Sequence, residues 1–376
     1  MSALPRICVV LPNIYAVLTG AQGIKFVGGA ELQHTIAAKA LARAGFSVSV
    51  VCLDHGQSDG EVVDGVRIFK THSPEGGIPI LRFFYPRLYR TWMALKRADA
   101  DVYYQPCAGY LTGVVAAFCR LHGRKSVFAG QSDTDFIPGK LRLRSSRDRL
   151  MYRWGFRHAD AIVAQTEKQR RFSADEMGRE AAVIPNGYAL PQEAVLNEKR
   201  YILWVGSIRS VKRPERFLEI ARSMPHLRFR MIGGPVADAN DGGAYYTGIK
   251  NEARTIPNLE FLGFKPYAET EPHFDHAAVF VNTSDIEGFP NTFLQAWARG
   301  VPTVSYFDPD LREEGVFEKV TEVSGAVKAI DTLMADEAFW RSYASRCHTY
   351  FQNQHAIDAM VARYRALFAG LVEAKA

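Results

Sequence analysis

The stretch RYILWVGSIRSVKRPERFLEIARS, residues 200–223, decides how the chain is read. Arg200–Val205 reads as a strand, Gly206–Lys212 as a loop, and Pro214–Ser223 as a helix with proline in its first turn. Strand, loop and helix in that order form half of a βαβ unit, whose helical crossover makes the strands parallel. Working outward, Leu227–Ile232 is the next strand, closed by Gly233-Gly234-Pro235. Leu259–Leu262, Ala278–Asn282 and Pro302–Tyr306 continue the series, and the chain beyond is mostly helical.

The first half follows the same order. Ile7–Leu11 is a buried-strand run, and a turn-rich loop extends from Pro12 to Gly29 with Gly20, Gly23, Gly28 and Gly29. Glu31–Ala44 is a helix closed by Gly45, and Ser47–Leu53 is a second strand. Val102–Gln105, a helix through Val114–Cys119, Ser126–Ala129 and Ala161–Gln165 carry the alternation on. A linker is expected at Tyr188–Asn197, which contains Pro191 and has no periodicity. Two Rossmann-like domains with a cleft between them are expected, with ligands at the carboxyl ends of the strands.

Composition removes other classes. The 376 residues are 47% hydrophobic and 23% charged, as in soluble globular proteins. Five cysteines, odd in number and without a C-x-x-C pair, argue against a disulfide framework or zinc site and suit a reducing cytoplasm. MSALPRICVV runs straight into a strand, so no secretory leader is expected. The 18 uncharged residues Val102–Cys119 include Gln105, Pro106 and Gly109, and read as a strand plus a buried helix and not a membrane span. The net charge of +6 is uneven: residues 1–195 hold 25 Lys and Arg against 17 acids, and residues 196–376 hold 21 against 23.

Three loops carry candidate chemistry. Gly28-Gly29-Ala30-Glu31 leads into a helix, where backbone N–H groups favour an anion; a flexible turn is the alternative. Its spacing is neither G-x-G-x-x-G nor a phosphate-binding P-loop. Arg209, Lys212 and Arg213 at the end of a strand suit a diphosphate, and an ordinary exposed loop is the alternative. Ser284–Ala296 is more specific. Glu287 can accept hydrogen bonds from sugar hydroxyls, the N–H groups of Gly288, Phe289, Asn291 and Thr292 around the tight turn at Pro290 can face a diphosphate, and Gln295 follows on a helix.

Together these residues resemble the family-4 retaining glycosyltransferases of the two-Rossmann-domain GT-B type (glycosyl transferases group 1). Five features match in order: Gly28-Gly29-Ala30-Glu31, Val183-Ile184-Pro185-Asn186-Gly187, Val205-Gly206 through Lys212, Phe261-Leu262-Gly263, and Glu287-Gly288-Phe289-Pro290. The resemblance implies an acceptor domain over 1–192, a nucleotide-sugar domain over 193–355, and a helix in 356–376 that crosses back to the first domain. It implies that Lys212 binds the diphosphate and Glu287 the donor sugar. Three positions depart from it. Gln295 stands where a ribose-binding glutamate is expected, and Ser207 where an arginine is expected, leaving Arg209 as the candidate substitute. The first-domain histidine of many members aligns with Ser132, which makes Asp133 or Asp135 a candidate to face the sugar; a solvated acidic turn is the alternative. The base pocket is expected around the backbone of Phe264 and Lys265.

The expected enzyme transfers a sugar from a UDP- or GDP-sugar co-substrate, with no other cofactor and no metal, to a lipid-linked or polysaccharide acceptor in cell-surface glycan synthesis. An epimerase or hydrolase of the same fold, and a non-catalytic homologue acting as a binding partner, are the alternatives. Leu81–Arg97 has five basic residues and no acid among Phe83, Phe84, Tyr85, Tyr89 and Trp92, and Pro138–Arg157 has seven against Asp148. These segments suit an anionic membrane surface, so a cytoplasmic protein peripheral to the inner face is expected; a solvated basic face is the alternative, and no nucleic-acid module is present.

Overall fold

The computed structural model describes residues 4–21, 28–76, 81–189, 200–235 and 243–373. Most of the expected linker, from residue 190 on, and Gly23 lie outside them. The chain divides into two compact units, one of residues up to Gly187 together with those from Ile357 onward, the other Tyr188–Ala356.

The first unit is built on an eight-stranded sheet. Its strands are β1 (Ile7–Val10), β2 (Val48–Cys52), β3 (Val62–Val63), β4 (Val66–Lys70), β5 (Val102–Pro106), β6 (Lys125–Ala129), β7 (Ala161–Ala164) and β8 (Ala182–Val183). The order is β3-β4-β2-β1-β5-β6-β7-β8, parallel except where β3 pairs with β4. That pair is a hairpin absent from the sequence reading, although Asp64-Gly65 announces it. Asp64 (φ 49°) and Gly65 (φ 80°) both adopt the left-handed conformation that a two-residue turn between twisted strands requires.

Both faces of this sheet are covered, which is why its central strands lack polar alternation. Ile7 and Val9 pack with Ala37, Ala38 and Leu41 of the helix Gly29–Arg43. Cys8 and Val10 pack on the other side with Ala94, Leu95, Val114 and Phe118. The helices Tyr110–His122 and Ser146–His158 touch backbone to backbone: a Cβ on Gly155 would lie 2.4 Å from the Thr112 carbonyl oxygen. The helix Ile357–Glu373 belongs to this unit. Its Met360, Val361, Tyr364 and Phe368 join the core under β1, and the Tyr364 hydroxyl lies 2.9 Å from that of Tyr104.

The second unit has a six-stranded parallel sheet of β9 (Tyr201–Val205), β10 (Phe229–Ile232), β11 (Leu259–Gly263), β12 (Ala277–Asn282), β13 (Thr303–Ser305) and β14 (Glu318–Lys319). The order β11-β10-β9-β12-β13-β14 reverses direction between β9 and β12. In the first unit the reversal falls between β1 and β5. At such points the loops leaving the carboxyl ends part to opposite faces and leave a crevice for ligands.

Phe368 is fully buried, stacked on Tyr364 and edge-on to Phe46. Phe368→Ala is expected to cost the first unit about 3–5 kcal/mol, measured by denaturant unfolding. A loss under about 1 kcal/mol contradicts this account of how the final helix is held.

Candidate active site

In the second unit β9 and β12 lie side by side, so the loops that follow them meet. The β9 loop ends in a turn, Ser210–Lys212, and the β12 loop carries Glu287. Three contacts tie the loops together: Asp285 N–H donates to the Val211 carbonyl (3.0 Å), the Thr283 hydroxyl to that of Lys212 (2.7 Å), and Arg216 to Asp285 (2.7 Å). Trp204, within β9, anchors Thr283 from below at 2.8 Å.

The Lys212 ammonium and Glu287 carboxylate form an ion pair whose side chains are only 16% and 11% exposed. Glu287 Oε1 also accepts from the Ser284 hydroxyl at 2.7 Å and from Asn282 at 3.5 Å. The carboxylate is therefore oriented from three sides. Ser284 and Asn282 were missed in the sequence reading; their signal was position, since both stand where a parallel strand ends. Arg209 is exposed at the start of the same turn, and Ser207 is half-buried just after β9.

Gly288 is half-buried, and Phe289 is buried against Phe293, Trp297 and His355. Pro290 and Asn291 begin the helix Asn291–Trp297. Gln295, expected to reach the ligand, is buried, and its amide donates to Glu271 Oε1 at 2.5 Å. Glu271 also accepts from Arg299 at 2.9 Å and from the Tyr188 hydroxyl, and Arg299 pairs with Asp275 at 2.5 Å. This network explains one departure. With Glu271 already at the position, a glutamate at 295 would face a like charge, whereas an amide donates to it.

The floor beside Lys212 is backbone. A Cβ on Gly233 would lie 2.2 Å from the Gly206 carbonyl oxygen, so only glycine lets the ends of β9 and β10 come this close. Phe264, just past β11, is 62% exposed. Such a ring offers a free face for stacking.

In the first unit Gly28 precedes the helix Gly29–Arg43, in which Glu31 and His34 are buried. Burial pushes His34 down to about 4. Asp133 and Asp135 occupy the turn after β6. Asp133 pairs with Lys168 at 3.0 Å and accepts from Gln169 at 3.3 Å. Asp135 is half-buried, and loss of water around its carboxyl pushes it up to about 6 despite backbone donors such as Gln131 N–H at 2.8 Å. The turn is thus half-buried, with Asp133 tied by an ion pair and a hydrogen bond.

Two units, each on a largely parallel sheet whose strand order reverses at a switch point, define a doubly wound α/β fold repeated twice in one chain. Residues 28–187 match the model of the glycosyl transferase 4-like domain and residues 199–336 that of the glycosyl transferases group 1. The chain belongs to this family of GT-B glycosyltransferases. Sucrose-phosphate synthase of Thermosynechococcus elongatus superposes with a TM-score of 0.79 at 18% identity, covering 98% of this chain and 100% of that one. HepE of Anabaena, solved with UDP and glucose, gives 0.74 at 14% identity over 97% and 99%. An exopolysaccharide phosphotransferase of Streptomyces coelicolor is 26% identical over 236 residues, which are 57% of this chain and 24% of that protein. The chain thus spans about a quarter of that relative's length. The lipopolysaccharide core biosynthesis glycosyltransferase LpsE of Rhizobium meliloti is 25% identical over 245 residues, 61% of this chain and 68% of the relative.

The raised Asp135 pKa has a defined sign. Its folded value lies above the unfolded one, so its stabilising effect is full below about pH 4 and is lost as pH rises through about 6. Asp135→Asn removes this loss. The variant is expected to gain about 2 kcal/mol relative to the wild type between pH 4 and 7, after allowance for partial exposure. Paired urea titrations at the two pH values measure it; an unchanged difference contradicts the raised carboxyl pKa.

Proposed function

We propose that the chain moves a sugar from a UDP- or GDP-sugar, with retention, to a lipid-linked or polysaccharide acceptor in cell-surface glycan synthesis. The observation that carries this reading is the Lys212–Glu287 pair, oriented by Ser284 at the strand switch point. Relatives whose names concern exopolysaccharide and lipopolysaccharide synthesis support the acceptor class. A structure of similar fold solved with UDP supports the donor class.

The chemistry follows from charge. Breaking the anomeric C–O bond leaves negative charge on the diphosphate and positive charge on the sugar. Lys212 turns from Glu287 to the diphosphate, with Arg209 as the nearby second cation, and stabilises the leaving group in place. Glu287, released from Lys212 but still held by Ser284, accepts from the sugar hydroxyls. Phe264 offers its face to the base. On this reading the acceptor attacks from the side the phosphate leaves, and the departing phosphate oxygen takes its proton. Asp133, in the first unit, is held by Lys168 and Gln169, which suits it to a positioning role.

The acceptor unit also carries exposed Leu81, Phe84, Tyr85 and Tyr89, with Leu150 and Trp154 on the helix Ser146–His158. Arg147 stacks over Phe83 and joins the two segments. Apolar side chains ringed by arginines suit peripheral attachment to an anionic bilayer. Among the described residues no helix is long and apolar enough to cross a membrane.

A panel of nucleotide-sugars tests the donor: a UDP- or GDP-sugar is expected to raise Tm, and failure of both classes sinks the reading. Lys212→Ala is expected to lower transfer about 10²–10³-fold, and Glu287→Ala should be similarly severe, measured by product formation on lipid extracts. Turnover of donor without acceptor would favour the epimerase or hydrolase instead. In sedimentation with vesicles, the protein is expected to bind those containing anionic lipid, and the double variant Phe84→Ser/Tyr85→Ser to bind several-fold less. Equal binding to neutral vesicles contradicts the charge-based attachment.

A further inference from the structure

The first unit contains a cavity of about 250 Å³ at the carboxyl ends of β1 and β2 and just beyond β4. One wall is apolar, formed by Val10, Leu53 and Leu111. The polar lining is Asn13, Thr71, His72, Arg87, Thr91 and Tyr110, and no carboxylate lines it. Its volume corresponds to about eight waters, on the scale of one substituted monosaccharide unit.

Two of its polar groups are left over by the fold. His72 is 6% exposed, and its Nδ1 has no hydrogen-bond partner. Arg87 Nε is buried and likewise unpaired. A buried polar atom without a partner is uncommon in a folded protein, because its lost hydration is not replaced. Two residues with such atoms line one cavity, with no acid in its lining among the described residues, an arrangement that suits a ligand bringing its own negative oxygens.

We propose that this cavity binds an anionic group, a phosphate or a carboxylate, carried by the acceptor. Arg87 donates to it through Nε, and His72 donates through Nδ1 as the neutral tautomer. The hydroxyls of Thr71, Thr91 and Tyr110 remain for the attached sugar. Burial and the nearby charges of Arg87 and Arg90 keep the His72 ring neutral, leaving Arg87 as the charge that decides. Arg87 lies in the segment Phe83–Leu88, next to exposed Phe84, Tyr85 and Tyr89. One short segment therefore supplies both the surface aromatics and the anion-binding arginine.

The inference rests on the first unit being the acceptor-binding one, so its test reads binding and not transfer. Full-length protein carrying Lys212→Ala, which removes the diphosphate-binding lysine, is dialysed against inorganic phosphate, glucose 6-phosphate, glucuronate and glucose. Saturable binding of one equivalent is expected for the phosphate compounds, for glucuronate, or for both, and none for glucose; the preferred acid identifies the group. Arg87→Gln is expected to weaken that binding about 10- to 100-fold, as a lost charged hydrogen bond does. Arg87→Lys should retain more of it. Should Arg87→Gln fail to fold, His72→Gln is measured in its place and is expected to weaken binding about 10-fold. The proposal is overturned if no anion binds saturably, or if binding is unchanged in the foldable variant. Failure of donor-sugar binding would leave this measurement unaffected, so the two readings fail separately.

Discussion

The order of strands in the second sheet is the constraint on which the candidate site depends. Because β12 returns to the far side of β9, the two loops that carry Lys212 and Glu287 emerge side by side from sequence positions 75 residues apart. Backbone and side-chain bonds then lock loop to loop before the ion pair is considered. The pair itself is a poor stability device. Withdrawing two charges from water costs about what their attraction returns, unless other hydrogen bonds complete the arrangement. Here only the carboxylate is so completed, by Ser284 and Asn282. Lys212 is therefore the mobile member, suited to exchange its carboxylate for a phosphate.

Buried polar groups are satisfied in some places of each unit and left over in others. In the second, Glu271, Arg299, Asp275, Gln295 and Tyr188 satisfy one another in a closed network. In the first, Nε2 of His34, Nδ1 of His72 and Nε of Arg87 are left unpaired, as are Nδ1 of His276 and the hydroxyls of Tyr306 and Tyr343 in the second. A closed network rigidifies, whereas unpaired groups at strand ends leave binding capacity. Much of the positive charge of the first half lies on the exposed aromatic segments, and Arg87 brings one such charge to the cavity.

Particular elements show how much was legible. Pro214–Ser223 was read with the bounds the structure has, since proline starts a helix and the apolar spacing marks its buried face. A helix was read over Glu31–Ala44 with Gly28-Gly29 leading into it, and the helix begins two residues earlier, at Gly29. The Asp64-Gly65 hairpin went unread although its turn residues are diagnostic. Lys212 and Glu287 were legible as candidates because both stand in loops after strands and match, in order, the motifs that carry the family resemblance. The partners of Glu287 and of Gln295 were not, since hydrogen-bond partners such as Glu271 come from a segment 24 residues away with no pattern linking them.

The sequence by itself determined the α/β class, the doubled parallel sheet and which charged residues stand in the loops at the strand ends. Periodicity, turn residues and charge are local properties, and each is written within a few neighbouring positions. Tertiary structure alone decided that Gln295 serves Glu271, that the Asp135 carboxyl loses water, and that His72 and Arg87 line one cavity. Those facts depend on which groups lose water and which meet across the fold, and burial belongs to the packed chain and not to any segment of it.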